Sequence, residues 1–244
     1  MKAVLRWIAL VIFAFVALQL FFVGRIAAMA VFDPESTTFQ RSEAWRIATE
    51  RDKLRWRQQW VPYAQMSDHI KRAVIASEDG SFANHDGVDW DALEKAWARN
   101  AKAEELAAKR SLLAPARPVK APKIVGGSTI TQQLAKNLLL SGERNLLRKG
   151  QEFVLTMALE HTLSKQRILE IYLNNVEWGE GVFGAEAAAQ HYFRKPASKL
   201  MAYESARLAV MLPQPKRFEK TPGSGYLASR ASTIVARMRD AELP

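Results

Sequence analysis

An apolar run at the N-terminus restricts this chain more than any other feature, because so long an apolar segment needs a membrane or a core around it. Lys2 and Arg6 precede the run, which spans residues 7–24 and resumes after Arg25 through residue 32. At about 1.5 Å per residue, residues 7–24 alone nearly cross a hydrocarbon layer of about 30 Å. The pattern predicts a transmembrane anchor within residues 1–33, with the Arg25 guanidinium extended to the far interface.

A cleaved signal peptide is the alternative, since Ala28-Met29-Ala30 fits a small-x-small cleavage site. The apolar part of a signal peptide usually has about 7–15 residues, and the longer run here favours an uncleaved anchor. Basic residues before the span favour a cytoplasmic N-terminus. We therefore expect one membrane span and a domain outside the cytoplasm.

The composition allows one good-sized folded core and restricts the chemistry. The chain has 244 residues, of which 48% are hydrophobic, and a formal net charge of +10. That charge suggests a nucleic acid, a phospholipid surface or a phosphorylated substrate, although a soluble basic protein would show it equally. Cysteine is absent from the sequence, which excludes disulfides, cysteine nucleophiles and thiolate metal sites.

Beyond the anchor, the hydrophobic pattern predicts a mainly α protein. Residues 34–59 are polar and predict a stalk or linker with a surface helix, and residues 60–240 predict the globular domain. Helical patterns occur near residues 68–79, 89–108, 129–140, 148–175 and 199–212. Residues 109–123 contain basic residues and prolines but no acid, which predicts a loop.

Glu78 extends the apolar face of the first of these helices, since Ile70 and Val74 lie eight and four residues before it. A carboxylate on a core-facing stripe loses hydration, which raises its pKa and makes it a better base near neutral pH. Asp79 and Gly80 then turn the chain, which would place Glu78 at the lip of a cleft. For an isolated glutamate, capping the helix or pairing with a cation would explain the pattern as well.

A second segment, GGSTITQQLAKN at residues 126–137, combines a helix start with polar side chains. Thr129 and Gln132 have capping-box spacing, and the N–H groups of the first turn can bind an anion. Gln132, Gln133 and Lys136 are expected to project near one face of the helix. A well-capped helix would explain the glycines and Thr129, but not the two glutamines, the lysine and Asn137 together.

A third segment, RKGQE at residues 148–152, offers cations and a second carboxylate. Arg148 and Glu152 are four residues apart and could form a surface ion pair. Lys149 is expected to point away from that pair. Alone, this segment indicates little.

Other patterns predict no site. Gly179, Gly181 and Gly184 spell GxGxxG, but the preceding IYLNN predicts a helix instead of the required strand. The four histidines lack metal-ligand spacing, and a penicillin-sensitive serine site is absent from the sequence. The basic loop lacks interleaved aromatic residues, which disfavours single-stranded nucleic acid as a partner.

Taken in order, these segments resemble the family 51 glycosyltransferases, the peptidoglycan polymerases. The matching segments are AVIASEDGSFANHDGVD, GGSTITQQLAKN, RKGQE, RILEIYLNNVEWGEGVFGAEAAAQHYF and LMAYESARLAVMLPQP. They span about residues 60–217, and WGEGVFGAEAAA is most similar to the monofunctional biosynthetic members of Gram-negative bacteria. Since the sequence stops at Pro244, we expect no transpeptidase domain.

The resemblance implies a lysozyme-like helical domain with a smaller lobe that dips into the membrane, preceded by one transmembrane helix. It implies Glu78 as the catalytic general base and Glu152 as the second catalytic carboxylate. It assigns basic residues near the donor diphosphate and other substrate-binding positions to Lys136, Arg148, Lys149, Thr129, Gln132, Gln133, Asn137, Phe82, His85 and Ser128.

The resemblance also implies lipid II and the growing glycan strand as partners, at a bacterial inner membrane with the catalytic domain in the periplasm. Other cell-wall synthesis proteins are further candidate partners, and nucleic acid is not expected. No cofactor is required by the sequence, although Mg²⁺ or Mn²⁺ could sit at the donor diphosphate. Two alternatives remain open: a lysozyme-like lytic enzyme that cleaves glycan strands, and a membrane-tethered basic scaffold without enzymatic activity.

Overall fold

The computed structural model describes residues 1–50, 55–113, 126–140, 142 and 145–244, and within these ranges the chain is mainly helical. This confirms the predicted fold class. The helices are α1 Lys2–Ala28, α2 Thr38–Glu50, α3 Asp68–Glu78, α4 Trp90–Leu113, α5 Ile130–Leu139, α6 Leu146–Thr162, α7 Lys165–Asn175, α8 Ala185–Phe193, α9 Ala202–Met211, α10 Pro215–Glu219 and α11 Gly225–Met238.

Helix α3 packs against α9 and α11, which also pack against each other. The Ser67 side chain caps its start by accepting a hydrogen bond from the His69 N–H at 3.2 Å. Its apolar stripe is fully buried at Ile70, Val74 and Ile75. Because this stripe fixes the rotation of the helix, it also fixes the direction of Glu78 at the last turn.

Two predicted boundaries are wrong. The expected helix over 148–175 is two helices, because Ser164 ends the first and caps α7 by accepting a hydrogen bond from the Arg167 N–H at 3.1 Å. The loop predicted from 109 starts later, since α4 runs to Leu113 before the first proline and Lys109 pairs with Glu105 at 2.6 Å. The rest of that loop, residues 114–123, lies outside the described residues.

A small three-stranded sheet carries the glycines of the GxGxxG pattern. Its strands are β1 Arg57–Gln58, β2 Glu177–Gly179 and β3 Val182–Phe183, in the order β1-β3-β2, with β1 parallel and β2 antiparallel to β3. The preceding IYLNN segment is part of α7, as predicted, so the strand-turn-helix context of a dinucleotide site does not occur here. Gly181 has a φ of +72°, and a Cβ there would lie 1.9 Å from the Arg55 carbonyl oxygen.

The described part of residues 34–59, which the sequence assigned to a stalk or linker, packs against the helical body. Gln40 and Ile47 of α2 are buried, and the Thr38 hydroxyl donates to the Leu138 carbonyl at 3.0 Å. The pairing of β1 with β3 then brings the segment up to residue 58 into the sheet.

The anchor prediction agrees with α1, a helix of 27 residues that contains an 18-residue stretch with a mean hydropathy of 2.5 and is long and apolar enough to cross a membrane. Its C-terminal end is joined to the body, because Ile26 is fully buried and Met29 nearly so. The Met29 carbonyl also accepts a hydrogen bond from Arg167 Nε at 2.8 Å. Met29, the central residue of the small-x-small sequence, therefore packs against the domain, whereas Ala28 and Ala30 are exposed.

Candidate active site

Glu78 is the last residue of α3, and its carboxylate is half-buried between neutral hydrogen-bond donors. Gln133 Nε2 donates to Glu78 Oε2 at 3.1 Å, and the Ser77 hydroxyl donates to Oε1 at 3.2 Å. Burial raises the pKa of Glu78 above its ordinary value, and the charge of Asp79 adds to that rise, while the two hydrogen bonds partly offset it. The carboxylate therefore holds a proton more readily than an exposed glutamate does, as a general base near neutral pH requires.

The orientation of the Gln133 amide is set from behind by Tyr172. The buried Tyr172 hydroxyl donates to Gln133 Oε1 at 2.9 Å, which leaves the amide N–H groups facing Glu78. Burial raises the pKa of Tyr172 well above its ordinary value, so the phenol keeps its proton and remains a donor. Two helices thereby hold the base: Gln133 belongs to α5 and Tyr172 to α7.

Asp79 occupies the N-terminus of α5, where the sequence predicted an anion-binding turn. Its Oδ2 accepts a hydrogen bond from the Ile130 N–H at 2.9 Å, and its Oδ1 lies 2.9 Å from His85 Nε2. The predicted capping box is present, with reciprocal 3.2 Å bonds between Thr129 and Gln132. The prediction of a substrate anion at this turn needs correction, because a carboxylate of the protein itself already occupies it.

Phe82 and His85 support this arrangement and do not line the cavities beside Glu78. Phe82 is fully buried, and its ring stands edge-on to the His85 ring with centroids 6.4 Å apart. Lys165 Nζ lies 4.7 Å above the Phe82 ring. Both residues therefore reach the site only through Asp79.

Two cavities meet at the segment that starts α5, and Ser128 lines both of them. The first has a volume of about 470 Å³ and contains Glu78. Lys95 and Arg99 of α4 and Arg237 of α11 line the same cavity. The second has a volume of about 530 Å³ and is lined by Ser128, Gln132, Gln133, Lys136, Asn145, Leu146, Arg148, Lys149 and Glu152.

The second cavity therefore brings together most of the polar residues expected at the donor diphosphate. Glu152 is 3% exposed and pairs with Arg148 at 3.1 Å and with Lys149 Nζ. The expectation that Lys149 points away from this pair is thus wrong, because its position three residues before Glu152 lets it reach the carboxylate as well. Arg148 Nε is buried without a hydrogen-bond partner among the described residues. Asn137 is half-buried and does not line either cavity.

Sequence reasoning missed the three cations of the first cavity. Lys95 and Arg99 lie four residues apart on one face of α4, a spacing that could have indicated them. Arg237 lies far away in the sequence and meets them only because α11 packs against α3. The carboxylates of Glu78, Asp79, Asp89 and Asp240 line the same cavity, so the three cations give it a mixed charge, which suits a polar substrate.

Two further groups of titratable side chains lie outside these two cavities. Burial raises the pKa of Glu177 to about 7, but this strand residue lies outside both cavities and is 3.5 Å from Lys216. His191 lies 3.5 Å from Glu219, and both line a third cavity of about 430 Å³ that does not include Glu78. Among the described residues, no three histidine, aspartate or glutamate side chains are grouped so that they could hold a metal ion.

Comparison with known proteins adds independent information. A family model described as transglycosylase matches residues 46–239. A protein from Burkholderia thailandensis is 51% identical over the whole chain and 90% of its own length, and one from Burkholderia pseudomallei is 50% identical over the same shares. A protein from Paraburkholderia xenovorans is 49% identical over 98% of this chain and 94% of its own. All three relatives are named biosynthetic peptidoglycan transglycosylase.

Proposed function

This chain belongs to the transglycosylase family and is a peptidoglycan glycosyltransferase, and we propose that Glu78 is the general base of its reaction. The enzyme polymerises lipid II into β-1,4-linked glycan strands and releases undecaprenyl diphosphate. The position of Glu78 supports the assignment most directly: a half-buried carboxylate with a raised pKa lines one cavity and accepts a hydrogen bond from Gln133, which lines the other.

The reaction assigns one substrate to each cavity. The acceptor lies in the first, with the 4-hydroxyl of its terminal N-acetylglucosamine at Glu78, and the donor diphosphate lies in the second. Glu78 takes the hydroxyl proton as the oxygen attacks the anomeric carbon of the donor N-acetylmuramic acid. The new carbon–oxygen bond forms as the bond to the diphosphate oxygen breaks, which inverts α to β, and Glu78 later returns its proton to solvent.

The cations of the second cavity stabilise the charge that develops on the departing diphosphate. Lys136, Arg148 and Lys149 line this cavity, and the unpartnered Nε–H of Arg148 supplies a donor for a phosphate oxygen. Fixed positive charge in a partly enclosed site stabilises such a transition state without reorganisation. A lipid diphosphate is already a good leaving group, so a strong general acid is unnecessary. Glu152 holds Arg148 and Lys149 together.

A divalent cation at the donor diphosphate stays a prediction from the sequence. The described residues fit such an ion poorly, because Glu152 is the carboxylate of the second cavity and both of its oxygens already contact cations. We therefore assign no step to a metal.

We further place the enzyme at the inner membrane, with the N-terminus in the cytoplasm and the catalytic domain in the periplasm. The apolar α1 supports an anchor, and exposed apolar side chains of the domain support a lobe that contacts lipid. On α4, Trp90, Leu93 and Trp97 are exposed, the last by 78%. Tryptophan side chains of this kind favour the membrane interface. The growing glycan strand and other cell-wall synthesis proteins complete the proposed partners.

Purified full-length protein in lipid vesicles that contain lipid II tests the function. We expect the wild type to make glycan polymer and the Glu78→Gln variant to make none, with both proteins folded by circular dichroism. Polymer from the variant at the wild-type rate would rule out Glu78 as the base. Digestion of finished peptidoglycan without polymer synthesis would indicate the lytic alternative, and lipid binding that fades with salt without either activity would indicate a scaffold.

A further inference from the structure

Helix α1 has one side that faces the domain, and a single amide lies on that side. Between Arg6 and Arg25, Gln19 is the one residue with an amide or charged side chain. Gln19 and Phe22 are half-buried and Ile26 is fully buried, whereas most of the helix is exposed. The spacing of these positions, three and then four residues, is that of one helix face.

Gln19 pairs with Gln151 of α6 through two reciprocal hydrogen bonds. Gln19 Nε2 donates to Gln151 Oε1 at 3.1 Å, and Gln151 Nε2 donates to Gln19 Oε1 at 2.9 Å. Helices α1 and α6 pack against each other around this pair. Burying an amide without a hydrogen-bond partner in hydrocarbon costs free energy. The Gln19–Gln151 pair therefore favours one arrangement of α1 against α6.

The two faces of α6 on either side of Gln151 differ, because one carries charged side chains and the other apolar ones. Arg148 and Glu152 point into the second cavity. On the other face, Leu147 is 88% exposed and Val154 is also exposed, four residues before and three residues after Gln151. Exposed apolar side chains therefore flank Gln151 on α6, as expected for a helix surface in contact with lipid.

The pair also fixes a depth. Gln19 lies six residues before Arg25, which corresponds to about 9 Å along the helix axis. If Arg25 marks the outer interface, Gln151 lies on the hydrocarbon side of it, with Arg148 and Lys149 within three residues along α6. The diphosphate of a lipid-borne donor is held near the headgroup layer by its own chain, so the cations must be held at a matching depth.

We propose that the Gln19–Gln151 pair locks the membrane anchor to α6 and sets the depth and orientation of the Arg148, Lys149 and Glu152 cluster toward the donor diphosphate. The anchor is then part of the donor site and does more than tether the domain. Gln19 and Gln151 are positioning residues, since they act on the substrate through the cluster. This inference rests on the proposed assignment of the second cavity to the donor.

A cross-linking experiment tests the docking without reference to activity. Because the chain has no native cysteine, a Gln19→Cys/Gln151→Cys variant in vesicles offers only two thiols to a short bifunctional thiol-reactive reagent. We expect intramolecular cross-linking in this variant and little in a matched Leu20→Cys/Gln151→Cys control, because Leu20 is 66% exposed on another face of α1. Equal cross-linking of both variants, or none in the first, would overturn the docking.

Kinetics test the positioning. For Gln19→Leu in lipid II vesicles, we expect KM to rise about three- to tenfold, as loss of a polar contact between membrane helices predicts, while kcat changes less than about twofold. The rise should shrink in detergent micelles, where the donor has no fixed depth, and should be absent in a Leu20→Ala control. The Gln19→Leu/Gln151→Leu variant should show no larger effect than either single change.

The outcomes separate this inference from the function on which it rests. An unchanged KM for Gln19→Leu in vesicles, with normal polymerisation by the wild type, would overturn the positioning role and leave the function intact. Failure of the wild type to polymerise lipid II would reject the function, whereas the cross-linking result would still decide whether the anchor docks on α6.

Discussion

Glu78 and Glu152 line two adjoining cavities, and their surroundings differ in kind. Glu78 accepts hydrogen bonds from the neutral side chains of Gln133 and Ser77, and burial raises its pKa. Glu152 is more deeply buried but contacts Arg148 and Lys149. The surroundings of Glu78 favour uptake of a proton by its carboxylate. The carboxylate of Glu152 instead forms ion pairs that hold two cations in place.

Glu177 shows that a raised pKa alone does not define a catalytic base. Burial brings the pKa of this carboxylate to about 7, yet it lies on the small sheet away from both cavities. The difference between Glu78 and Glu177 is access to a substrate. The position of Glu78 in the wall of a cavity of about 470 Å³ therefore carries the assignment, and the direction of its pKa shift supports it.

The largest effect should follow from replacing the base. We expect Glu78→Gln to lower kcat by about 10²–10⁴, the usual contribution of a general base, with a much smaller change in KM. Continuous measurement of lipid II consumption gives both constants. The matched control is Glu177→Gln, which removes another buried carboxyl and should change kcat less than about threefold; equal losses in the two variants would point to a general effect of buried charge.

The second effect compares the cations of the two cavities. Arg148→Ala should lower kcat/KM by about 10²–10³, because it removes a preorganised group that stabilises the departing diphosphate. Lys95→Ala, in the first cavity, should act mainly on KM and by about tenfold or less, because the acceptor proposed for this cavity does not change charge near Lys95. Comparable kcat losses in both variants would mean that the cavities have been assigned to the wrong substrates.

The sequence was sufficient for the fold class, for the anchor and for the helix that carries Glu78, because these depend on local periodicity and capping. It also placed Lys136 and Arg148 correctly in one cavity through the resemblance of their motifs. It failed where long-range packing decides. Arg237 reaches the first cavity only through the docking of α11, and Asp79 meets the N-terminus of α5 only because two distant loops lie side by side.

Asp79 provides the third test, since it links the region around Glu78 to the start of α5. The Asp79→Asn variant should lose about 1–2 kcal/mol of unfolding free energy, because a buried carboxylate at a helix N-terminus is replaced by a neutral amide. Its melting temperature should fall by roughly 2–4 °C per kcal/mol, and kcat by about tenfold as Glu78 loses a rigid neighbour.

Removal of the negative charge of Asp79 should also lower the pKa of Glu78, which would move the acidic limb of the rate profile to lower pH. If Asp79→Asn is less stable but the acidic limb of its rate profile stays at the wild-type pH, then Asp79 supports the fold and does not affect the pKa of Glu78.

The smallest effect concerns stability against pH. The ordinary pKa of a glutamate is 4.5, and that of Glu78 is raised in the folded protein. Between these two values the folded state binds a proton that the unfolded state does not, so the free energy of unfolding falls as the pH rises through this window. The loss is complete above the folded pKa, where the desolvated carboxylate is charged.

Glu78→Gln removes this loss, and its melting temperature should exceed that of the wild type at pH 8, with the difference shrinking as the pH approaches 4.5. Glu177→Gln should show the same pattern over a window from 4.5 to about 7, but without the loss of turnover. A Glu78→Gln variant that is less stable than the wild type at pH 8 would mean that its hydrogen bonds outweigh the desolvation of the carboxylate, and the contrast with Glu152 would then be one of position only.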